Sequence, residues 1–168
     1  MLDKKILGLL NLQLNREYYS SYLYLSMAAY CDSLSFVGFA NWFRVQSQEE
    51  LDHAGKFFDH ITVRQARVKL TEIEEPPFNF KSVLDVFEEA LSHEQKITKW
   101  INEIYSAAEK EHDHATKQFL AWFIDEQVEE EASAQLMVDK LRMIGESKGS
   151  LLYLDKEAKK RQRATSPA

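Results

Sequence analysis

The sequence holds one cysteine, three prolines and five glycines in 168 residues, and each scarcity closes off a class of structure. A lone Cys31 rules out an internal disulfide, a cysteine-rich zinc site and a C-x-x-C redox module, and it fits a reducing, cytoplasmic compartment. Pro167 lies in the tail, so only Pro76 and Pro77 can interrupt a helix in the body of the chain, and an almost wholly helical, all-α protein is expected. No apolar run is long enough to span a bilayer. The opening residues, Asp3, Lys4 and Lys5 before a short apolar stretch that gives way to Asn11 and Gln13, carry no small-residue cleavage pattern, so neither a membrane nor an export signal is expected. An excess of positive charge is also missing: a formal charge of −6 gives no reason to expect nucleic acid and favours cations as partners. The basic run from Lys156 to Arg163 reads instead as solvated cations that complement the C-terminal dipole of the last helix.

What is present is enough for one core. With 45% apolar residues and 12% aromatics, residues 1–168 read as a single domain. Leu7, Leu10, Leu14, Ser21, Leu25 and Ala28 follow the three-then-four spacing of a core-facing helix over about residues 3–31. Phe39, Phe43, Gln46, Phe57 and Ile61 do the same over about 36–64. A third helix starts at the capping-box-like Ser82-x-x-Asp85 and continues through Phe87, Ala90, Ile97, Ile101 and Ile104. The fourth follows the polar junction Glu111-His112-Asp113-His114, runs through Phe119, Phe123, Met137, Leu141 and Ile144, and stops at Gly145. A short fifth helix is expected within residues 150–161, and a basic tail over 162–168.

The first and last links span only a few residues, so each forces an antiparallel hairpin. The middle link, residues 65–81, holds the Pro-Pro pair and no helical pattern. Extended, it reaches roughly 55 Å, against about 43 Å for the second helix. It can therefore cross the whole bundle and make the second and third helices parallel, giving a four-helix bundle over about 3–145 with one long crossover.

Carried through mid-helix, the apolar stripes meet Glu17 on the first helix, Glu50 and His53 on the second, Glu94 on the third, and Glu126, Gln127 and Glu130 on the fourth. One such glutamate alone reads as an edge residue reaching solvent, but acids on four helices at one depth need a shared positive charge to offset burial. His53 stands one turn from Glu50 and faces the same way. Oxygen ligands with a single imidazole suit iron or manganese better than zinc, and iron is the expected metal.

Glu17, the Glu50-x-x-His53 pair, Glu94 and the stretch Asp125-Glu126-Gln127-Val128-Glu129-Glu130-Glu131 resemble the ferroxidase centre of ferritins. Arg16-Glu17-Tyr18-Tyr19-Ser20, Tyr22-Leu23-Tyr24-Leu25-Ser26-Met27, Glu49-Glu50, the Glu74-Glu75-Pro76-Pro77 crossover and Asp155-Lys156-Glu157 extend the resemblance over essentially the whole chain. It implies a ferritin-like bundle that assembles into a hollow homo-oligomer of about 24 subunits. Such a cage oxidises Fe(II) with oxygen or peroxide and stores the ferric product. The fourth helix offers Gln127-x-x-Glu130 where the broader di-iron pattern has Glu-x-x-His, which resembles the prokaryotic non-haem ferritins. Haem is not expected, because Met1, Met27, Met137 and Met143 all lie outside the second helix, where bacterioferritins carry their haem-binding methionine.

On this resemblance, Glu17, Glu50 and His53 hold one iron, and Glu50 bridges to a second held by Glu94 and Glu130. Gln127 stands alongside as a ligand or a near neighbour. Tyr24 resembles the tyrosine beside the centre, there to give an electron or to hydrogen-bond Glu94. Trp122 is expected as a packed core side chain, with a redox role beside the centre as the alternative. Glu49, Glu126, Glu129 and Glu130 resemble a third iron position on the cavity side, with a solvated acidic face as the alternative. Trp42, Phe58 and Trp100 are expected at contacts between subunits, and Leu151, Leu152 and Leu154 around a four-fold axis. Two other readings stay open on the residues: a di-iron oxidase acting on an organic substrate, and a metal-free helical scaffold. The role of His112 and His114, an auxiliary metal pair or a polar turn, is also open.

Overall fold

The computed structural model describes residues 2–163, so residues 164–168 of the basic tail expected over 162–168 lie outside the described residues. Five helices follow in order: α1 (Lys4–Ser33), α2 (Val37–Val63), α3 (Val83–Lys110), α4 (His114–Ile144) and α5 (Lys148–Ala158). Local chemistry sets their ends. Asp3 accepts from the amides of Lys5 and Ile6 at 2.8 and 3.3 Å to start α1. Ser82 accepts from the Asp85 amide at 3.1 Å while Asp85 accepts from the Lys81 amide at 2.9 Å, a reciprocal cap close to the expected box. Three helices end on a non-glycine residue of positive φ: Ser35 after α1, Gln65 after α2 and His112 after α3. In each case the following amide reaches back to close the last turn: Phe36 to Cys31, Ala66 to Ile61 and Asp113 to Ala108. His112 is thus the turn residue that ends α3, and its ring stands 6.5 Å from that of His114 at the start of α4.

The core falls into two clusters. One gathers Met27 and Cys31 of α1, Phe39 and Phe43 of α2, Phe87 of α3, Val138 and Leu141 of α4 and Leu154 of α5. The other gathers Ile6 and Leu10 of α1, Phe57 and Ile61 of α2, Ile101 and Ile104 of α3 and Phe123 of α4. The late part of α1 therefore lies with the early parts of α2 and α3, which makes α2 and α3 parallel, as the crossover length required. The crossover runs up the flank of α1. Lys69 and Thr71 donate to Asn11 and Asn15 at 2.6 and 2.8 Å, and Ser26 donates to the Pro77 carbonyl at 2.6 Å.

Some expectations need correction. Leu25 is 44% exposed, because the buried stripe of α1 passes through Ser21, Tyr24 and Ala28, and a residue one position on from Tyr24 turns about 100° away. Trp42, expected at a subunit contact, is 5% exposed and packs edge-on against Phe43 and Phe87 of its own bundle. Leu154 is buried in the same cluster, whereas Leu152 is exposed. The fifth helix begins at Lys148 and ends at Ala158. Arg161 and Arg163 are not simply solvated, since they pair with Glu49 and Asp52 of α2.

Candidate metal centre

Between the two apolar clusters lies a polar layer. Gln13, Glu17 and Ser20 of α1, Gln46, Glu50 and His53 of α2, His93 and Glu94 of α3, and Gln127 and Glu130 of α4 are all buried, none more than 5% exposed. Each helix brings these side chains inward because they occupy core-facing positions of its 3.6-residue repeat. Glu17, Glu50 and His53 converge, with one ligand-type atom from each lying within 4.8 Å of the others. His53, Glu126 and Glu130 form a second such group on the α4 side, so the imidazole stands between two sets of acids. His53 Nδ1 lies 3.3 Å from Glu50 Oε2, and Trp122 and Phe123 meet its ring edge-on at 5.4 and 5.7 Å.

The remaining contacts orient the carboxylates. Tyr24 donates its hydroxyl proton to Glu94 Oε1, and Gln127 Nε2 donates to Glu94 Oε2 at 3.0 Å. Gln127 also reaches Thr98 at 3.3 Å, so in this arrangement its amide holds Glu94 from behind. Gln46 Nε2 donates to Glu130 at 2.6 Å and Gln13 Nε2 to Glu17 at 2.8 Å. Two buried oxygens, Glu17 Oε2 and Gln46 Oε1, have no hydrogen-bond partner among the described residues. A buried carboxylate oxygen left bare costs free energy unless a cation meets it.

Electrostatics points the same way. Burial first, and then the charge of Glu50, push the Glu17 carboxyl well above its ordinary value. Glu50 is raised by burial and by Glu94 and Glu130. Glu94 is raised by burial, against the hydrogen bonds of Tyr24 and Gln127. Burial and Glu94 push Glu130 up to about 7. Crowded, dry carboxylates of this kind release their protons readily only to a metal, and oxygen donors with one imidazole fit iron.

The residues expected at a third position are spread more widely. Glu126 is half-buried and raised by burial first, with Glu129 and Glu49 adding to the shift. Glu129 is exposed and Glu49 half-buried, and neither belongs to the converging groups. Glu49 Oε2 accepts from Arg161 at 2.8 Å. Trp122 is 36% exposed with Lys56 over its ring at 4.6 Å, contrary to the core packing expected for it. Four polar residues of the layer escaped the sequence reading as members of the site. Gln13 and Gln46 stand four residues before Glu17 and Glu50, a spacing that would have found them. Ser20 and His93, which share a 2.7 Å hydrogen bond across α1 and α3, carry no such signal.

A family model described as Ferritin-like domain matches residues 7–144. The bacterial non-heme ferritin of Staphylococcus haemolyticus is 41% identical over 157 residues, covering 94% of this chain and 95% of the relative. That of Staphylococcus aureus is 40% identical over the same length. Among solved structures, the open pore ferritin of Archaeoglobus fulgidus superposes with a TM-score of 0.96 at 53% identity, covering 96% of this chain and 100% of that one. A structure described as a humanized archaeal ferritin gives a TM-score of 0.97 at 50% identity over 98% of this chain and 100% of that one. Helix order, crossover, buried carboxylate layer and likeness along nearly the full length agree, and the chain belongs to the ferritin family.

Proposed function

We propose that this protein is an iron-storage ferritin subunit, which oxidises ferrous ion inside its own bundle and delivers the ferric product to a mineral held in the cavity of a homo-oligomeric cage of about 24 copies. The observation that carries the reading is the convergence of Glu17, Glu50 and His53, one ligand-type atom from each lying within 4.8 Å of the others, together with a buried Glu17 oxygen that has no hydrogen-bond partner among the described residues. Glu17, Glu50 and His53 receive one ferrous ion. Glu50 reaches across to a second ion held with Glu94 and Glu130, while Gln127 orients Glu94. Held side by side, the two ions give up one electron each. Dioxygen takes both with two protons to become hydrogen peroxide, or peroxide takes both with two protons to become water. Tyr24 fixes Glu94 through its hydroxyl and is a phenol within reach of the centre for a further electron. Glu49, Glu126, Glu129 and Glu130 form an additional iron position through which product leaves. Haem has no part in this reading, since α2 contains no methionine.

The near-complete burial of the layer favours reactants as small as a metal ion and dioxygen over an organic substrate. A metal-free scaffold would have no use for four crowded buried acids, whose burial is offset only in part by the hydrogen bonds of Gln13, Gln46, Tyr24 and Gln127. Glu50→Ala and His53→Ala, each assembled and free of iron, test the centre by stopped-flow absorbance of ferric product after ferrous ion is added in air. The rapid phase should fall at least about tenfold in both variants, with helical circular dichroism unchanged. Parent-like rapid oxidation in both would remove the centre from these residues.

A further inference from the structure

After α5 ends at Ala158, residues 159–163 turn back along α2, and they are tied to it at three places. Asn41 Nδ2 donates to the carbonyls of Lys159 and Arg161 at 3.3 and 3.1 Å. The Arg161 guanidinium lies 4.1 Å over the Trp42 ring and donates to Glu49 Oε2 at 2.8 Å. Arg163 Nε donates to Asp52 at 2.9 Å. The Arg161 and Glu49 side chains are only 19% and 12% exposed, so their pair is drier than the surface ion pairs that contribute little. The positive charge of Arg161 also reaches Glu130, where it opposes the upward shift caused by burial.

The guanidinium is held, but incompletely. Its second terminal nitrogen, Nη1, is buried and has no hydrogen-bond partner among the described residues. A cation with a donor left bare in a dry site is less well bound than its position implies, and it can be exchanged for one that uses the same oxygens better. The oxygen it occupies belongs to Glu49, whose charge acts on Glu126, and Glu126 in turn has a ligand-type atom within 4.8 Å of those of His53 and Glu130.

We infer that Arg161 is a positioning and specificity residue of the additional, cavity-side iron position: it aims Glu49 while metal is absent, and an arriving ion must displace it. This rests on the reading of Glu49, Glu126, Glu129 and Glu130 as such a position. The displacement cost is the same for every cation, so ions that bind carboxylates weakly stay out at ordinary concentrations while ions of high charge pass. Trp42 holds the guanidinium through its ring face, and Arg163 on Asp52 keeps the strap close for its return.

The test is equilibrium titration of zinc(II), which is not oxidised, into the assembled, iron-free protein, followed by calorimetry. Parent, Arg161→Ala, Arg161→Lys and Glu49→Gln are compared. In Arg161→Ala the weakest class of zinc sites should tighten by roughly tenfold, the size expected on removing a charge-assisted competitor, while the tighter classes stay as in the parent. Lysine at 161 keeps the charge and should keep the weak class near its parental affinity. Glutamine at 49 should weaken that class or abolish it. A purely structural role would move all classes of zinc site together, and that result overturns the inference. A weak class lost in Glu49→Gln but identical in parent and Arg161→Ala removes Arg161 from the position and leaves the position standing. No class sensitive to Glu49 in any variant removes both.

Discussion

Glu130 shows how a single carboxyl sets conflicting demands. It is buried, accepts from Gln46, and has its carboxyl pushed up to about 7, by burial first and by the charge of Glu94 second. A folded-state value above the ordinary 4.5 means that the native protein holds this proton more tightly than the unfolded chain does. The stability this contributes is complete below about pH 4.5 and is lost as pH rises to about 7, a loss of about 3 kcal/mol for the metal-free protein. Glu17, Glu50 and Glu94 shift in the same direction and extend the decline. The iron-free melting temperature should therefore fall between about pH 5 and pH 8. Glu130→Gln should flatten part of that slope and melt higher than the parent at the alkaline end. Scanning calorimetry across this range decides it, and a variant that tracks the parent at every pH would show that Glu130 titrates like a solvated acid. These residues were legible because an ionisable acid on a core-facing stripe is costly to bury without a counter-charge. Gln46 and Gln13 become legible only through their four-residue spacing from Glu50 and Glu17, since an uncharged amide in the same stripe raises no comparable cost by itself.

At the scale of elements, α2 depends on a cap supplied from 117 residues away. Its N-cap residue, Phe36, makes no side-chain hydrogen bond, and the free amides of Gly38 and Phe39 donate instead to Asp155 Oδ1 of α5 at 2.9 and 2.8 Å. Gly38 is required for the approach, because a Cβ there would stand 1.7 Å from the Asp155 carbonyl oxygen. Asp155→Ala leaves two buried amides bare and should cost about 1–2 kcal/mol. Gly38→Ala should push α5 off α2 and cost at least as much. Denaturant unfolding measures both, and Trp42 fluorescence reports whether the strap has left its ring. Parental midpoints in both variants would mean that α5 is an ornament on the bundle. The four long helices, their hairpins and the parallel crossover could be read from periodicity, turn residues and loop length, because those signals are local. The docking of α5, the burial of Trp42 and the ion pairs of Arg161 and Arg163 could not, because each is a contact between segments that carry no mark of one another.

The whole molecule leaves apolar surface that one bundle has no means to cover. Tyr22 and Leu25 of α1 and Phe78 of the crossover, the last 82% exposed, line one groove with Ser26, Glu75 and Pro76. Leu152 and Tyr153 of α5 form a second exposed pair, on a different element. Two separate patches on one subunit allow contact with more than one neighbour, which a closed shell requires and a simple dimer does not. The first patch lies where the crossover is pinned to α1, so both its backbones are fixed before any partner arrives, and little ordering entropy is lost on contact. Burying Leu25 and Phe78 contributes on the order of 2 kcal/mol each, repeated at every equivalent contact, so charge introduced there acts many times over. Leu25→Arg with Phe78→Arg should release species far smaller than a cage. Their helical circular dichroism should be that of the parent, because both side chains already face outward. Sedimentation velocity at several salt concentrations separates the possibilities. Small, folded species make this face a subunit contact, whereas a full-size particle in the double variant means that assembly is held by other surfaces and that this groove stays open in the shell.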